Sequence, residues 1–256
     1  MSFAVGADSY DQFMGRYSTL LARPLADLAD VQRGQRALDV GCGPGALTSE
    51  LVARLGAESV AAIDPSEPFV AAARERHPGV DVRHAAAEEL PFADGEFDVT
   101  LAQLVVHFMA DPIVGLREMA RVTRPGGVVV ACVWDLAGGR APISLFWAAV
   151  RQLDPGADDE SGLAGARQGH LAELFEAAGL LDVEETDLAV QVEHASFDAW
   201  WEPYTLGVGP AGAYVARLDA ARCEELKERC RQLLPAAPFT LEAHAWAALG
   251  RTHAGL

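Results

Sequence analysis

The run Leu38-Asp39-Val40-Gly41-Cys42-Gly43-Pro44-Gly45 places three glycines directly after a short apolar stretch that contains an acid. Glycine at Gly41, Gly43 and Gly45 lets the backbone turn sharply and approach a ligand where a Cβ would obstruct it. A helix starting just beyond offers unpaired N–H groups and the positive end of its dipole. Such a loop suits the polar part of a nucleotide-like ligand. Glycine spacing alone leaves that ligand open, because Gly41, Gly43 and Ala46 also satisfy the G-x-G-x-x-A dinucleotide pattern. Asp39 would repel a pyrophosphate but can face the cationic α-amino group of an amino-acid-like ligand. Asp64, at the end of the next apolar stretch, is placed to accept hydrogen bonds from two ribose hydroxyls.

A second group of residues bears on the reacting partner. His107, in Val105-Val106-His107-Phe108, follows the fourth apolar stretch and is the candidate general base or acceptor contact. A histidine between apolar neighbours equally reads as a hydrogen-bonded structural residue. Gln103 reads as a neighbour of the cofactor site rather than an acid or base. Trp200, Trp201 and Tyr204, with Tyr10, Tyr17 and Trp134, suit an apolar lid over an aromatic or polyketide-like acceptor. Adjacent tryptophans on a helix also simply pack one element onto another.

Positioning these residues requires an alternating frame. Ala37 to Val40, Val60 to Asp64, Val80 to His84, Phe97 to Ala102 and Val128 to Val133 read as strands, each short, apolar and followed by polar or glycine punctuation. Leu47, Leu51 and Leu55 form one helical stripe between them, and Ile113, Leu116, Met119 and Val122 another, with Pro125-Gly126-Gly127 expected to stop the second helix. Strands alternating with helices indicate a parallel sheet covered on both faces. Leu20, Leu21, Leu25 and Leu28 place a helix ahead of the first strand. The acidic stretch Asp154 to Gly169 reads as a mobile surface connection. A helix over Leu171 to Ala178 and strands over Val183 to Val192 and Phe239 to Leu249 complete the pattern, with a helical insertion at 197–234. The expected class is therefore α/β: a Rossmann-like, doubly wound, mostly parallel seven-stranded sheet with an N-terminal helical cap and an insertion between the last two strands.

Bulk properties narrow the partners. The 256 residues are 50% hydrophobic, enough for one domain with a full core over 1–256. That domain divides into a cap (1–35), a cofactor-binding core (36–134), the rest of the core (135–196 and 235–256) and the insertion, read as a lid (197–234). A formal charge of -17 disfavours nucleic acid and anionic membrane surfaces. The four cysteines show no metal-ligand or disulfide spacing, so no metal is expected. No run of residues is apolar enough to span a bilayer, and Met1 to Asp8 lacks the basic start and apolar block of a signal peptide, so a cytoplasmic monomer or homodimer is expected.

Taken in order, Leu38 to Gly45, Ile63-Asp64-Pro65-Ser66, Ala87-Glu88-Glu89-Leu90-Pro91-Phe92, Phe97-Asp98-Val99 and Arg121 to Gly127 resemble the class I S-adenosylmethionine (SAM) dependent methyltransferases. Within them the chain resembles the small-molecule and quinone-type branch. The resemblance covers residues 36–134. It implies that Asp39 and the loop Gly41, Cys42, Gly43 and Gly45 hold the methionine part of SAM, Asp64 with Pro65 the ribose, and the Ala86, Ala87, Glu88 turn the adenine. The family often has aspartate where this chain has Ala86. Tyr10 to Tyr17 resembles the family's capping helix, in which Arg16 would pair with the donor's carboxylate. The implied activity is methyl transfer from SAM to an O, N or C nucleophile of a small-molecule acceptor, leaving S-adenosylhomocysteine. Two other classes remain open at this point. One is a SAM-binding protein of the same fold that does not methylate. The other is an NAD-dependent oxidoreductase, for which no Tyr-x-x-x-Lys pair is present.

Overall fold

In the computed structural model, which describes residues 6–254, helix α1 (Ala7–Tyr10) passes through a π-helical turn at Asp11–Gly15 into α2 (Arg16–Leu28). The alternating frame follows: β1 (Ala37–Val40), α3 (Ala46–Leu55), β2 (Val60–Asp64), α4 (Glu67–Arg76), β3 (Asp81–His84), β4 (Phe97–Gln103), α5 (Pro112–Val122) and β5 (Thr123–Trp134). Then come α6 (Ser144–Leu153), α7 (His170–Ala177), β6 (Leu181–His194), α8 (Phe197–Trp201), α9 (Gly209–Ala216), α10 (Ala220–Leu233) and β7 (Phe239–Arg251). The start read for targeting, Met1 to Val5, lies outside the described residues.

The seven strands form one sheet in the order β3-β2-β1-β4-β5-β7-β6. Pairs from β3 to β5 are parallel, and β7 runs antiparallel between β5 and β6. The expected seven-stranded, mostly parallel sheet is therefore present. Its order steps outward in one direction from β1 and in the other from β4, which makes the carboxyl ends of these two central strands the switch point where open α/β sheets bind ligands.

Side-chain alternation along the strands feeds two apolar layers. On β5, Val130, Cys132 and Trp134 enter the layer under α2, α3 and α6, while Val129, Ala131 and Val133 enter the layer under α5 and α7. The insertion packs on the first layer, with Trp200, Trp201, Tyr204 and Cys230 all buried there.

Two local expectations are corrected. Helix α5 ends at Val122, and Pro125-Gly126-Gly127 lies inside β5 rather than terminating the helix. The proline is tolerated because the register between β4 and β5 shifts there, so a missing N–H breaks no ladder bond. On α2 the buried stripe is Tyr17, Leu21 and Leu25, at i, i+4 spacing, and Leu20 points outward at 47% exposure. The 154–169 connection is not a free surface segment: Glu160 and Ala166 are buried within it.

Candidate functional site

A cleft of about 550 Å³ opens at the switch point, within the range usual for small-molecule sites. One wall is the turn after β1, with Gly41 and Gly43. A second is the end of β2, with Asp64 and Pro65. The third is the segment following β4, with Gln103, Leu104 and Val105. Ala86, Ala87 and Glu88 line it as well, and Tyr10 of α1 closes it from the N-terminal side, edge to face with Phe69 at 5.4 Å.

The three loop glycines have three different causes. A Cβ on Gly41 would lie 2.4 Å from Val105 Cγ2, and one on Gly45 would lie 2.6 Å from the His77 ring, so both positions are closed by the protein itself. A Cβ on Gly43 would meet nothing within 4 Å. Gly43 lines the cleft, so its missing side chain leaves that wall open. Cys42 is buried and directs its thiol to the Gly43 carbonyl, and neither Cys42 nor Gly45 lines the cleft.

Asp64 ties the two sides of the cleft together. Its Oδ2 accepts the Gly43 N–H and its Oδ1 accepts the Ser66 N–H, each at 2.8 Å. A carboxylate has about four lone-pair sites, so two remain for the hydroxyls of a ribose. Burial raises the pKa of Asp64, while those two N–H donors pull it down. Glu88 also lines the cleft, with Oε1 accepting the Ala110 and Asp111 amides.

Asp39 is fully buried, one layer behind the loop, where Thr48 of α3 donates to its Oδ2 at 2.6 Å. Its Oδ1 has no hydrogen-bond partner, and burial pushes the carboxyl up to about 7. The amide of Gln103 donates to the Ser18 carbonyl at 2.9 Å and fastens α2 to the end of β4. The other end of that amide, Oε1, is buried without a partner in a residue that lines the cleft. The orphaned Gln103 Oε1 on the cleft wall, with the Asp39 carboxyl behind the loop, fits a cationic ammonium group. With Asp64 and the open face of Gly43, these residues fit the methionine and ribose parts of SAM.

Leu104 follows in the left-handed region at φ 62°, held by its N–H to the Cys132 carbonyl at 2.9 Å. A leucine there carries strain of about 1–3 kcal/mol. It lines both the cleft and a second, smaller apolar pocket of about 40 Å³, as do Tyr10 and Phe108. That pocket also takes in His107, Trp134 and Glu160. Burial drives His107 down to about 3, leaving a neutral imidazole whose Nδ1 has no partner. Glu160, buried to 6% exposure, accepts the Trp147 indole N–H at 2.9 Å.

The remaining candidates separate by position. Arg16 lines no part of the cleft. Its guanidinium donates to the Gln12 carbonyl at 2.7 Å and the Ala199 carbonyl at 3.4 Å and lies 3.5 Å from His194 Nδ1, so it joins the cap to α8. The Tyr17 hydroxyl meets His194 Nε2 at 3.0 Å, beneath the same junction. Tyr204 stacks on Phe146 with centroids 4.6 Å apart, and Trp201 stacks on Phe197. Trp200, Trp201, Tyr204 and Tyr17 thus pack the insertion onto the domain, and of the six aromatic candidates only Tyr10 and Trp134 line the cleft or the apolar pocket beside it. Sequence reasoning passed over Leu104, Val105 and Phe108, visible only as apolar residues, and Glu160, hidden in an acidic stretch. Among the described residues no helix is long and apolar enough to cross a membrane.

The geometry matches known proteins. Residues 38–131 match the family model described as a methyltransferase domain. The chain is 31% identical over 182 residues to a protein of Mycolicibacterium smegmatis named "Probable S-adenosylmethionine-dependent methyltransferase", covering 68% of this chain and 69% of that one. It is 35% identical over 129 residues to a malonyl-[acyl-carrier protein] O-methyltransferase of Erwinia billingiae, covering 50% of each. The chain spans about half the length of the first curated relatives it matches. The fold is similar to that of the YcgJ protein from Bacillus subtilis, with a TM-score of 0.59 at 18% identity, over 91% of this chain and 98% of that one.

Proposed function

The chain belongs to the S-adenosylmethionine-dependent methyltransferases, and from that premise we propose that it binds SAM in the cleft and methylates a small molecule held in the adjoining apolar pocket. The observation that carries this reading is the shared wall: Tyr10, Leu104 and Phe108 each line both spaces, so a donor in one lies against an acceptor in the other. Bound SAM supplies an electrophilic methyl group on a sulfonium, open to in-line displacement.

The protein's part is binding, alignment and exclusion of water. Asp64 accepts from the ribose, the Gln103 Oε1 and the field of Asp39 attract the ammonium, and the backbone beside Gly43 makes room for the chain between them. The Ala86 to Glu88 turn offers backbone N–H groups to the adenine edge, since Ala86 provides no side-chain acceptor. His107, neutral and on the wall of the acceptor pocket with its Nδ1 unpartnered, is the group available to receive a hydrogen bond from the acceptor.

The charge of -17 supports a small molecule over a polyanion as acceptor. Helices of this chain cover both faces of the sheet, which supports one catalytic domain over 1–256 with the 197–234 insertion as its acceptor-side wall.

Calorimetric titration with SAM, S-adenosylhomocysteine and NAD tests the donor. SAM and S-adenosylhomocysteine are expected to bind and NAD not, and tight NAD binding without SAM binding overturns the proposal. Mass spectrometry of a metabolite extract treated with enzyme and SAM then looks for a product heavier by one methylene.

A further inference from the structure

Glu160 comes from the connection between α6 and α7 and is buried to 6% exposure. The Trp147 indole of α6 fixes one of its oxygens at 2.9 Å. Its position in the pocket is definite. The wall shared with the donor cleft is Tyr10, Leu104 and Phe108, whereas Glu160 is shared with a different hollow, lined also by Ser144, Trp147 and the paired Arg151 and Asp159. It therefore stands at the end of the acceptor pocket away from the donor.

A buried carboxylate normally has a cation beside it. Among the described residues no arginine, lysine or histidine forms an ion pair with Glu160, and the charged neighbour acting on it, Asp159, is another acid, itself paired with Arg151. His107, in the same pocket, is kept neutral by burial and brings no positive charge. Besides the donor-side Tyr10 and Phe108, the pocket wall carries the rings of Phe13 and Trp134. An aromatic-walled pocket that ends on a carboxyl without an ion-pair partner attracts an organic cation by ring quadrupole and charge together. The net charge of -17 favours the approach of cations and repels anions.

Building on the apolar pocket as the acceptor site, we infer that Glu160 sets acceptor specificity and that the acceptor carries a protonated amine which pairs with it. The ammonium has no lone pair, so it is not the atom methylated. It anchors the far end, and the nucleophile lies at the end formed by His107, Tyr10 and Phe108. At about 40 Å³ the pocket holds only an end group as it stands. A larger acceptor would have to displace part of the wall formed by Val208, Gly209, Pro210 and Ala211 of the insertion. Burial holds the Glu160 carboxyl up at about 7, as expected of an acid waiting for a counter-charge.

Three probes of one shape test this at mildly alkaline pH: phenethylamine, phenylethyl alcohol and hydrocinnamate, each titrated into the full chain with and without S-adenosylhomocysteine. The wild type is expected to bind the amine at least about tenfold more tightly than the alcohol and to reject the carboxylate. Glu160→Gln should erase that preference while leaving affinity for S-adenosylhomocysteine unchanged. Trp147→Phe, which keeps the carboxyl but frees it, should reduce the preference only in part. The inference is overturned if the amine does not bind, if the alcohol binds as well, or if the preference survives in Glu160→Gln. Failure of S-adenosylhomocysteine to bind, with amine preference intact, removes the donor reading and leaves this one standing.

Discussion

Asp64 and Gly43 are joined by a hydrogen bond of 2.8 Å from the loop amide to Oδ2, so the acid expected to hold a ribose also holds the loop expected to hold the methionine chain. Removing the side chain therefore has two effects on one ligand. Asp64→Ala should weaken SAM binding by about 1–3 kcal/mol, through the lost ribose acceptor and the slackened loop together. Calorimetry that returned an unchanged affinity would refute the ribose role.

The glycines can be told apart by substitution. Gly41→Ala drives a methyl into Val105 and should lower the melting temperature markedly, with SAM binding lost as a result. Gly43→Ala meets no protein atom and pays only for its φ of +54°, about 1 kcal/mol, so it should stay folded yet bind SAM poorly. If the Gly43→Ala protein binds SAM normally, the open face at Gly43 is not where the donor lies.

Asp39 predicts opposite pH trends for stability and affinity. Burial raises its folded pKa to about 7, above the unfolded value, so the stability it contributes is present at low pH and lost as pH rises toward 7. The same deprotonation creates the charge that attracts the donor's ammonium, so SAM affinity should rise over that interval. Asp39→Asn should flatten both trends. Melting curves and titrations across pH, on both proteins, provide the check.

Arg16→Ala is expected to lower the melting temperature and leave SAM affinity within about twofold, because the guanidinium binds Gln12 and Ala199 and not the cleft. A tenfold loss of affinity without loss of stability would return Arg16 to the donor's carboxylate.

His107→Ala should reduce turnover while sparing donor affinity, since His107 lines the acceptor pocket and not the donor cleft. Steady-state kinetics that matched the wild type would make it a packing residue.

The frame was legible where periodicity and punctuation are local. The strand-to-helix loop after β1, Asp64 at the end of β2 and the alternation through β5 all follow from neighbours in sequence, and the structure has them. What was hidden depends on contacts between distant segments. Glu160 sits in Asp-Asp-Glu-Ser-Gly, which has the composition of a solvated turn, and nothing nearby announces the Trp147 indole that draws it inward. Arg16 was visible as part of a capping motif, but its direction is set by α8, far along the chain. Leu104 appears as an ordinary apolar residue in the sequence, and its left-handed backbone is imposed by the Cys132 carbonyl. Trp200 and Trp201 were conspicuous as aromatics, while their burial in the packed insertion was not.

The fit of Val105 against Gly41 makes these two positions a single unit of mutational tolerance. A side chain at 41 escapes its clash only if 105 shrinks, so the pair should be non-additive in a double-mutant cycle, the second change rescuing the first in part while the strain of the positive φ at 41 remains. Val105 is also part of the cleft wall, and the rescue that restores folding would widen the space beside the donor. Drift at the loop's first glycine thus carries a change of ligand shape with it.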